Sequence, residues 1–345
     1  MNDSNARLQQ LIDKESQKGH THGVVLGVQS ADGRVDFQGA AGSASPDSPY
    51  FIASVSKTYT VAVLMQLVDE GRLDLDAPIT DYLSPDMLTG IHVYQGTDYS
   101  HQLKVYQLIH QTSGLADYFE GHLAEDFKQN IDREYSVEDT LAIARGMPPT
   151  AAPDSGKSHY SDTNYQLLGA IIESVTGQPI AAAFKAYIFD RLGFQETYLY
   201  DCHQPHNGEL PLPLYHQDKA LALPLALTSE RGAGGIVSNT AESLRFLRAF
   251  FDGELFDASH FSRMLQWNSM FFPLEYGYGL MRFKLPRWMT LFRETPELIG
   301  HSGASGSFAF YAPSKKIYIA GTFNQFDKPS RPFNFMLKVI NAAGF

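Results

Sequence analysis

The chain has 345 residues, 43% hydrophobic and 19% charged, with a formal net charge of −11 and one cysteine, Cys202. That composition suits a globular protein with a full core, long enough for two lobes. The acidic balance, with no basic stripe to offset it, argues against nucleic acid as a partner. A lone cysteine excludes an internal disulfide, and no uncharged apolar run is long enough to span a membrane.

The first seven residues carry neither the basic start nor the apolar run of a signal peptide. The expected compartment is therefore the cytoplasm, or the periplasm or exterior if a leader was removed. Leu8, Leu11 and Ile12 give an amphipathic helix over residues 4–18. Two strands follow at 23–29 and 35–39, joined by an Asp32-Gly33 turn. A helix runs from Ser54 to about Glu70 and stops at Gly71; apolar on most of its surface, it reads as buried and central. Residues 73–165 are mostly helix and loop. A second strong helix covers 163–175, with Gly177 as its terminator. Residues 195–232 are rich in loops and proline. The stretch 239–251 reads as a helix, with Glu242 three residues after Asn239. Strands are expected at 276–283, 297–301, 307–311 and 317–323, and a helix at 331–342 closes the chain. Terminal helices around a largely antiparallel sheet, with a helical middle, make an α+β fold.

Three motifs carry chemistry. Ser54-Val-Ser-Lys57 is the one Ser-x-x-Lys in the chain, and a helix puts positions i and i+3 on one face. A hydroxyl becomes a nucleophile when a neighbouring base takes its proton, and a desolvated lysine can be that base. Tyr160-Ser161-Asp162 leads into the second helix; a tyrosine held near an ammonium acquires a lowered pKa and can shuttle protons. Gly300-His301-Ser302-Gly303 ends a strand with small residues, against which a substrate can lie along the strand edge.

Other stretches have plainer readings. Gly232-Ala-Gly-Gly235 lacks phosphate-loop spacing and reads as a tight turn behind the cleft. Asp201-Cys202-His203-Gln-Pro-His206 and His20-Thr-His22 carry metal-capable groups without a second matched half, so they read as surface loops, and no metal or cofactor is expected. Residues 282–293 mix Phe283, Trp288 and Phe292 with Arg282, Lys284, Arg287 and Arg293. They read as core plus a solvated strand face, with an apolar cleft wall or subunit contact as the alternative.

The motifs, in this order, resemble the serine β-lactamase and penicillin-binding-protein-like superfamily. The closest resemblance is to its branch of class C β-lactamases, D-Ala-D-Ala carboxypeptidases, D-aminopeptidases and related carboxylesterases. It rests on Phe51-Ile-Ala-Ser-Val-Ser-Lys57, the stretch from Leu67 to Pro78, Gln111-Thr-Ser-Gly-Leu115, Tyr160-Ser-Asp162, Gly232-Ala-Gly-Gly-Ile-Val-Ser238 and Gly300-His-Ser-Gly303. The resemblance covers essentially the whole chain and implies one serine-hydrolase unit over 1–345. Residues 1–72 and 225–345 would form an α/β lobe and 73–224 a mainly helical lobe, with the site in the cleft between.

It also implies that Ser54 is the acylated nucleophile, with Lys57 and Tyr160 sharing the proton work. The backbone N–H groups of Ser54 and Ala304 would form the oxyanion hole. Asp162, His301, Ser302 and Gly303 would meet substrate, His301 and Ser302 on its carboxylate or leaving side. Three departures stand out. Asp162 replaces an asparagine common in relatives, and a carboxylate accepts but cannot donate, so it would pair with Lys57 or a substrate amine; it can also cap its helix. His301 replaces the lysine of true β-lactamases, which weakens a fixed positive charge. Gln111 stands where relatives often carry histidine. The expected function is a metal-free serine hydrolase of esters, small amides or D-amino-acid peptides, weak on β-lactams. A true class C-like β-lactamase, or a non-turnover penicillin-binding or structural homologue, is the alternative. Its partner would be a small-molecule or peptide substrate, with no nucleic acid and no membrane span, and a homo-oligomer left open.

Overall fold

Strand β1 (Gly23–Ser30) is buried at all but one of its eight positions, so it needs neighbours on both edges and both faces. A computed structural model, which describes residues 3–290, 295–326 and 330–345, supplies them. The other strands of its sheet are β2 (Asp36–Gly42), β3 (Asn268–Phe271), β4 (Leu274–Tyr276), β5 (Met281–Phe283), β6 (Leu298–Ser302), β7 (Ser307–Ala312) and β8 (Ile317–Thr322). Their order is β3-β4-β5-β6-β7-β8-β1-β2, antiparallel throughout. Val25 thus faces Ala40 on one side and Thr322 on the other.

Each face of the sheet has its own apolar layer. Helix α1 (Asp3–Ser16) buries Leu8 and Ile12 in one cluster with Val24, Leu26, Phe308 and Phe310, and the chain's last helix adds Phe335, Met336 and Val339 to it. The opposite cluster is built around α2 (Ser56–Asp69), buried without a break from Ser56 to Leu67. A helix with no polar stripe needs cover on every side. Here α3 (Asp162–Thr176) and α4 (Thr240–Phe251) contribute Leu167, Leu168, Ile171, Leu244 and Phe246 to that cover. Each such side chain, fully buried, contributes roughly 1.5–3 kcal/mol. Gly177, at φ +70°, ends α3 in the left-handed conformation a helix terminator needs. The Asn239 side chain accepts the Glu242 N–H at 2.9 Å to start α4. Helix α5 (Arg331–Ala343) closes the chain.

Two strand expectations change. The run 276–283 is two strands, β4 and β5, because Gly277-Tyr-Gly279 turns the chain between them. Gly277 N–H donates to Leu280 O at 2.8 Å, and Gly279 sits at φ +64°. A side chain at 279 would also put its Cβ 3.1 Å from that of Val61. Strand β3, at the sheet edge, was not foreseen; Asn268-Ser-Met-Phe271 has half-buried and exposed positions but too short a run to read as a strand. Among the described residues no single helix is long and apolar enough to cross a membrane.

Candidate active site

The nucleophile candidate sits at a forced bend. Residues Tyr50–Phe51 pair with Ile236–Ser238, and the Ile52 N–H donates to Ile236 O at 3.0 Å. Ala53 then takes φ +46°, costly for a residue with a Cβ, and a 3₁₀ turn over Ala53–Val55 delivers the chain into α2. Surrounding contacts hold the bend. Ser305 Oγ donates to Phe51 O at 2.7 Å and Ser307 Oγ to Ile52 O at 2.6 Å. Ser54 therefore lies in the turn before the helix.

Lys57, one turn on, has no exposed surface. Its Nζ donates to Ser54 Oγ at 3.0 Å and to Ala233 O at 2.7 Å, and lies 2.5 Å from Asp162 Oδ1. An ammonium with three N–H groups thus meets three oxygens. The turn over Arg231–Gly234 supplies one of them and also accepts Thr60 Oγ1 at Gly232 O, 2.7 Å away, so it backs the site. Asp162 does not cap α3 with its side chain: Ser161 holds the cap position, and the Asp162 carboxylate is turned to Lys57. A negative charge in the first turn also suits the helix dipole.

Two buried carboxyls adjoin this pair. Asp117 Oδ1 accepts the Asp162 and Phe119 N–H groups at 3.0 and 3.1 Å. Burial, and after it the charge of Asp162, pushes the Asp117 carboxyl up to about 8. The same two causes push Glu230 up to about 8. Neither residue has a motif around it, and neither was foreseen; the one signal is an acidic residue inside an otherwise apolar or glycine-rich stretch.

Tyr160 is part-exposed along the cleft, where both it and Ser54 are among the lining, with Lys57 Nζ 5.2 Å from its ring centroid. A lowered pKa was expected here. Instead burial, then the Asp162 charge, raises it well above its usual value. Asp162 answers the lysine charge that would have favoured a tyrosinate. Tyr160 is a neutral phenol in this state.

His301 is also placed differently from expectation. Its ring is fully buried, with Nδ1 2.7 Å from Ser302 O and Nε2 3.2 Å from Tyr276 Oη. A carbonyl can only accept, so Nδ1 carries the proton and Nε2 accepts from the tyrosine. Burial, then the Lys57 charge, lowers its pKa to about 3, so it is neutral. The ring lies beneath the cleft and shows no surface to a substrate carboxylate, whereas Ser302, Gly303 and Ala304 line the cleft itself. Gly303 must be glycine, since a Cβ there would stand 2.6 Å from Ile52 O and 2.8 Å from Ala53 Cβ. That close passage sets Ala304 beside Ser54 at the cleft floor. Gln111 lies behind the Tyr160 loop, where its Oε1 accepts the Ser161 N–H at 2.9 Å.

The cleft has a volume of about 590 Å³, with Ser54, Tyr160 and Asp162 among its lining. Phe271, Phe272, Leu274, Met281 and Phe283 form an apolar wall. The 282–293 segment therefore contributes cleft wall through Phe283. Arg282 pairs with Glu275, Trp288 is 68% exposed, and Phe292 and Arg293 lie outside the described residues. Asp201, Cys202 and His203 bring three potential metal-ligand atoms within 4.8 Å, but His203 Nε2 is already 3.0 Å from Glu134 Oε2. His206 stacks on Tyr198, and His20 pairs with Asp218 at 2.8 Å.

A family model described as Beta-lactamase matches residues 8–342. The chain is 27% identical over 267 residues to Penicillin-binding protein 4 of Amycolatopsis lactamdurans, covering 72% of this chain and 64% of that one. It is 28% identical over 206 residues to Esterase EstB of Burkholderia gladioli, covering 55% and 50%. The chain thus spans about half to two thirds of the length of these curated relatives. Among solved structures, a D-stereospecific amidohydrolase from Streptomyces sp. superposes with a TM-score of 0.81 at 27% identity, over 99% of this chain and 98% of that one. With the antiparallel sheet, its flanking terminal helices and a helical portion now in place, the chain belongs to the Beta-lactamase family and has the β-lactamase/transpeptidase-like fold.

Proposed function

We propose that this chain is a serine hydrolase that works through an acyl-enzyme at Ser54 on esters, small amides or D-amino-acid peptides, and turns over β-lactams poorly. The observation that carries this is the buried Lys57 Nζ 3.0 Å from Ser54 Oγ, with the Tyr160 phenol beside both. Once the Lys57–Tyr160 pair has given up one proton it can act as base: Ser54 Oγ attacks the substrate carbonyl, its proton passes to the pair, and the pair then delivers a proton to the leaving group. The Ser54 and Ala304 N–H groups receive the developing oxyanion. Asp162 holds Lys57 in place. Family membership and the names of the relatives, an amidohydrolase and an esterase among them, support the hydrolase class. The two-lobe division, 1–72 with 225–345 against 73–224, belongs to the same reading.

The weak β-lactam activity follows from His301. Buried and neutral, it gives an anionic β-lactam no fixed counter-charge at the end of β6. Losing about 1.4 kcal/mol of carboxylate binding is a factor of about ten, so kcat/KM for a short p-nitrophenyl ester should exceed that for a chromogenic cephalosporin by at least about tenfold. A fluorescent phosphonate should label Ser54, and Ser54→Ala should abolish both labelling and ester hydrolysis. An adduct mapped by mass spectrometry to another serine would sink the mechanism, and a cephalosporin value at or above the ester value would restore the β-lactamase reading.

A further inference from the structure

Ser54 borders two spaces. Besides the broad cleft it faces an adjoining compartment of about 40 Å³, lined by Glu230 and Gly234, by Asp162 and Ala304, which also border the cleft, and by side chains such as Phe51 and Phe326. A water needs about 10–15 Å³ of such space and two or more polar partners. The compartment therefore fits one water or a few, and excludes a substrate. Glu230 is 7% exposed, and its Oε1 has no hydrogen-bond partner among the described residues. A buried carboxyl oxygen without a partner is costly unless a small polar molecule meets it. Backbone bonds fix its position: Glu230 O accepts the N–H groups of Ala233 and Gly234 at 2.9 and 3.1 Å. The same turn presents Ala233 O to Lys57.

Resting on the Ser54 acyl-enzyme reading, we propose that this compartment holds the water that hydrolyses the acyl-enzyme, and that Glu230 positions it. The acyl group fills the broad apolar cleft, so water reaches the ester carbon from the smaller compartment that adjoins it at Ser54. In the step, the water oxygen bonds to the acyl carbon and the bond from that carbon to Ser54 Oγ breaks. The water's proton goes to the Lys57–Tyr160 pair, and Oγ takes a proton back from the same pair. The acid leaves and the free serine is restored. Glu230, raised to about 8 by burial, need not change its charge in this step; it accepts a hydrogen bond from the water in either protonation state.

The test separates acylation from deacylation. With p-nitrophenyl acetate, whose leaving group makes acylation fast, Glu230→Met should keep a burst of p-nitrophenol but lower the steady-state rate at least about tenfold. Acylated Ser54 should then accumulate in the intact mass spectrum. The melting temperature should not fall, because an unpartnered buried carboxyl is replaced by an apolar group of similar shape. Glu230→Gln, which keeps an acceptor oxygen, should restore most of the steady-state rate. An unchanged steady state in Glu230→Met, a burst lost along with it, or a Gln variant as slow as the Met variant would each overturn the proposal. Should Glu230→Met fail to fold, Gly234→Ala decides by the same comparison, since its Cβ would stand 2.9 Å from Glu230 Oε2 and push the carboxyl aside. Failure of wild type to form any Ser54 adduct would overturn the serine-hydrolase reading itself, and this proposal with it.

Discussion

Lys57 organises the site because a fully buried ammonium must be answered on every N–H, and three oxygens from three separate segments answer it. Asp162 carries the charge in that answer. Asp117 and Glu230 lie in the same field, where burial and the Asp162 charge favour their acid forms and hold both at about 8. Their ordinary values are 3.8 and 4.5, so the folded protein binds these protons more tightly than the unfolded chain does. The stabilisation is complete below about pH 4 and is lost as pH rises through about 8. The melting temperature should therefore fall from about pH 5 to pH 9, and Asp117→Asn should flatten part of that slope while keeping an acceptor for the Asp162 N–H. Calorimetry of both proteins at fixed ionic strength checks this; parallel slopes would remove Asp117 from the account.

At the scale of elements, the site is a lock between the Ala53–Val55 turn and the β6–β7 connection. Two serine hydroxyls and one obligatory glycine hold the two backbones together. Gly303→Ala should cost about 1–3 kcal/mol of stability, as overpacking does. It should also lower kcat by about 10² as the Ala304 N–H is displaced, the usual cost of losing an oxyanion donor. Thermal unfolding and ester kinetics would show both; an unchanged kcat would mean that residue 304 donates nothing. The helices were legible because their signals are local: the apolar run of α2, Gly177 after α3, and Asn239 with Glu242 at α4. Ser54, Lys57 and Asp162 were legible as motif members, and the structure brings them together. Glu230 and Asp117 were not, since their importance comes from burial by distant chain segments. Nor could spacing say that the His301 ring turns under the strand, or that alternation across 276–283 conceals a turn at Gly277-Tyr-Gly279.

For the whole molecule, the consequential shape is the sheet edge that overhangs the cleft. Strands β3 to β5 carry the apolar wall outward to Phe271 and Phe272, which remain 61% and 64% exposed at its mouth. A wall of this kind favours substrates with apolar acyl groups. Each methylene buried contributes about 0.8 kcal/mol, so kcat/KM for p-nitrophenyl esters should climb by up to about fourfold per carbon from acetate upward. Phe283→Ala should flatten that climb by opening the wall. A chain-length series that stays level in the wild type would show that the acyl group lies elsewhere.

The pairing of Val25 with Thr322, and of the Ile52 carbonyl with the Ser307 hydroxyl, also governs how the molecule comes into being. These partners lie some three hundred and 255 residues apart in the chain. Contacts of such separation carry a large loop-closure cost and form late, which makes folding slow. On the ribosome Ser54 emerges well before Ser305 and Ser307, the groups that hold its bend. Until β7 and β8 arrive, β1 has an open apolar edge, a risk for aggregation in the nascent chain. The proposed activity therefore waits on closure of the sheet, and the appearance of ester hydrolysis during refolding would report that closure.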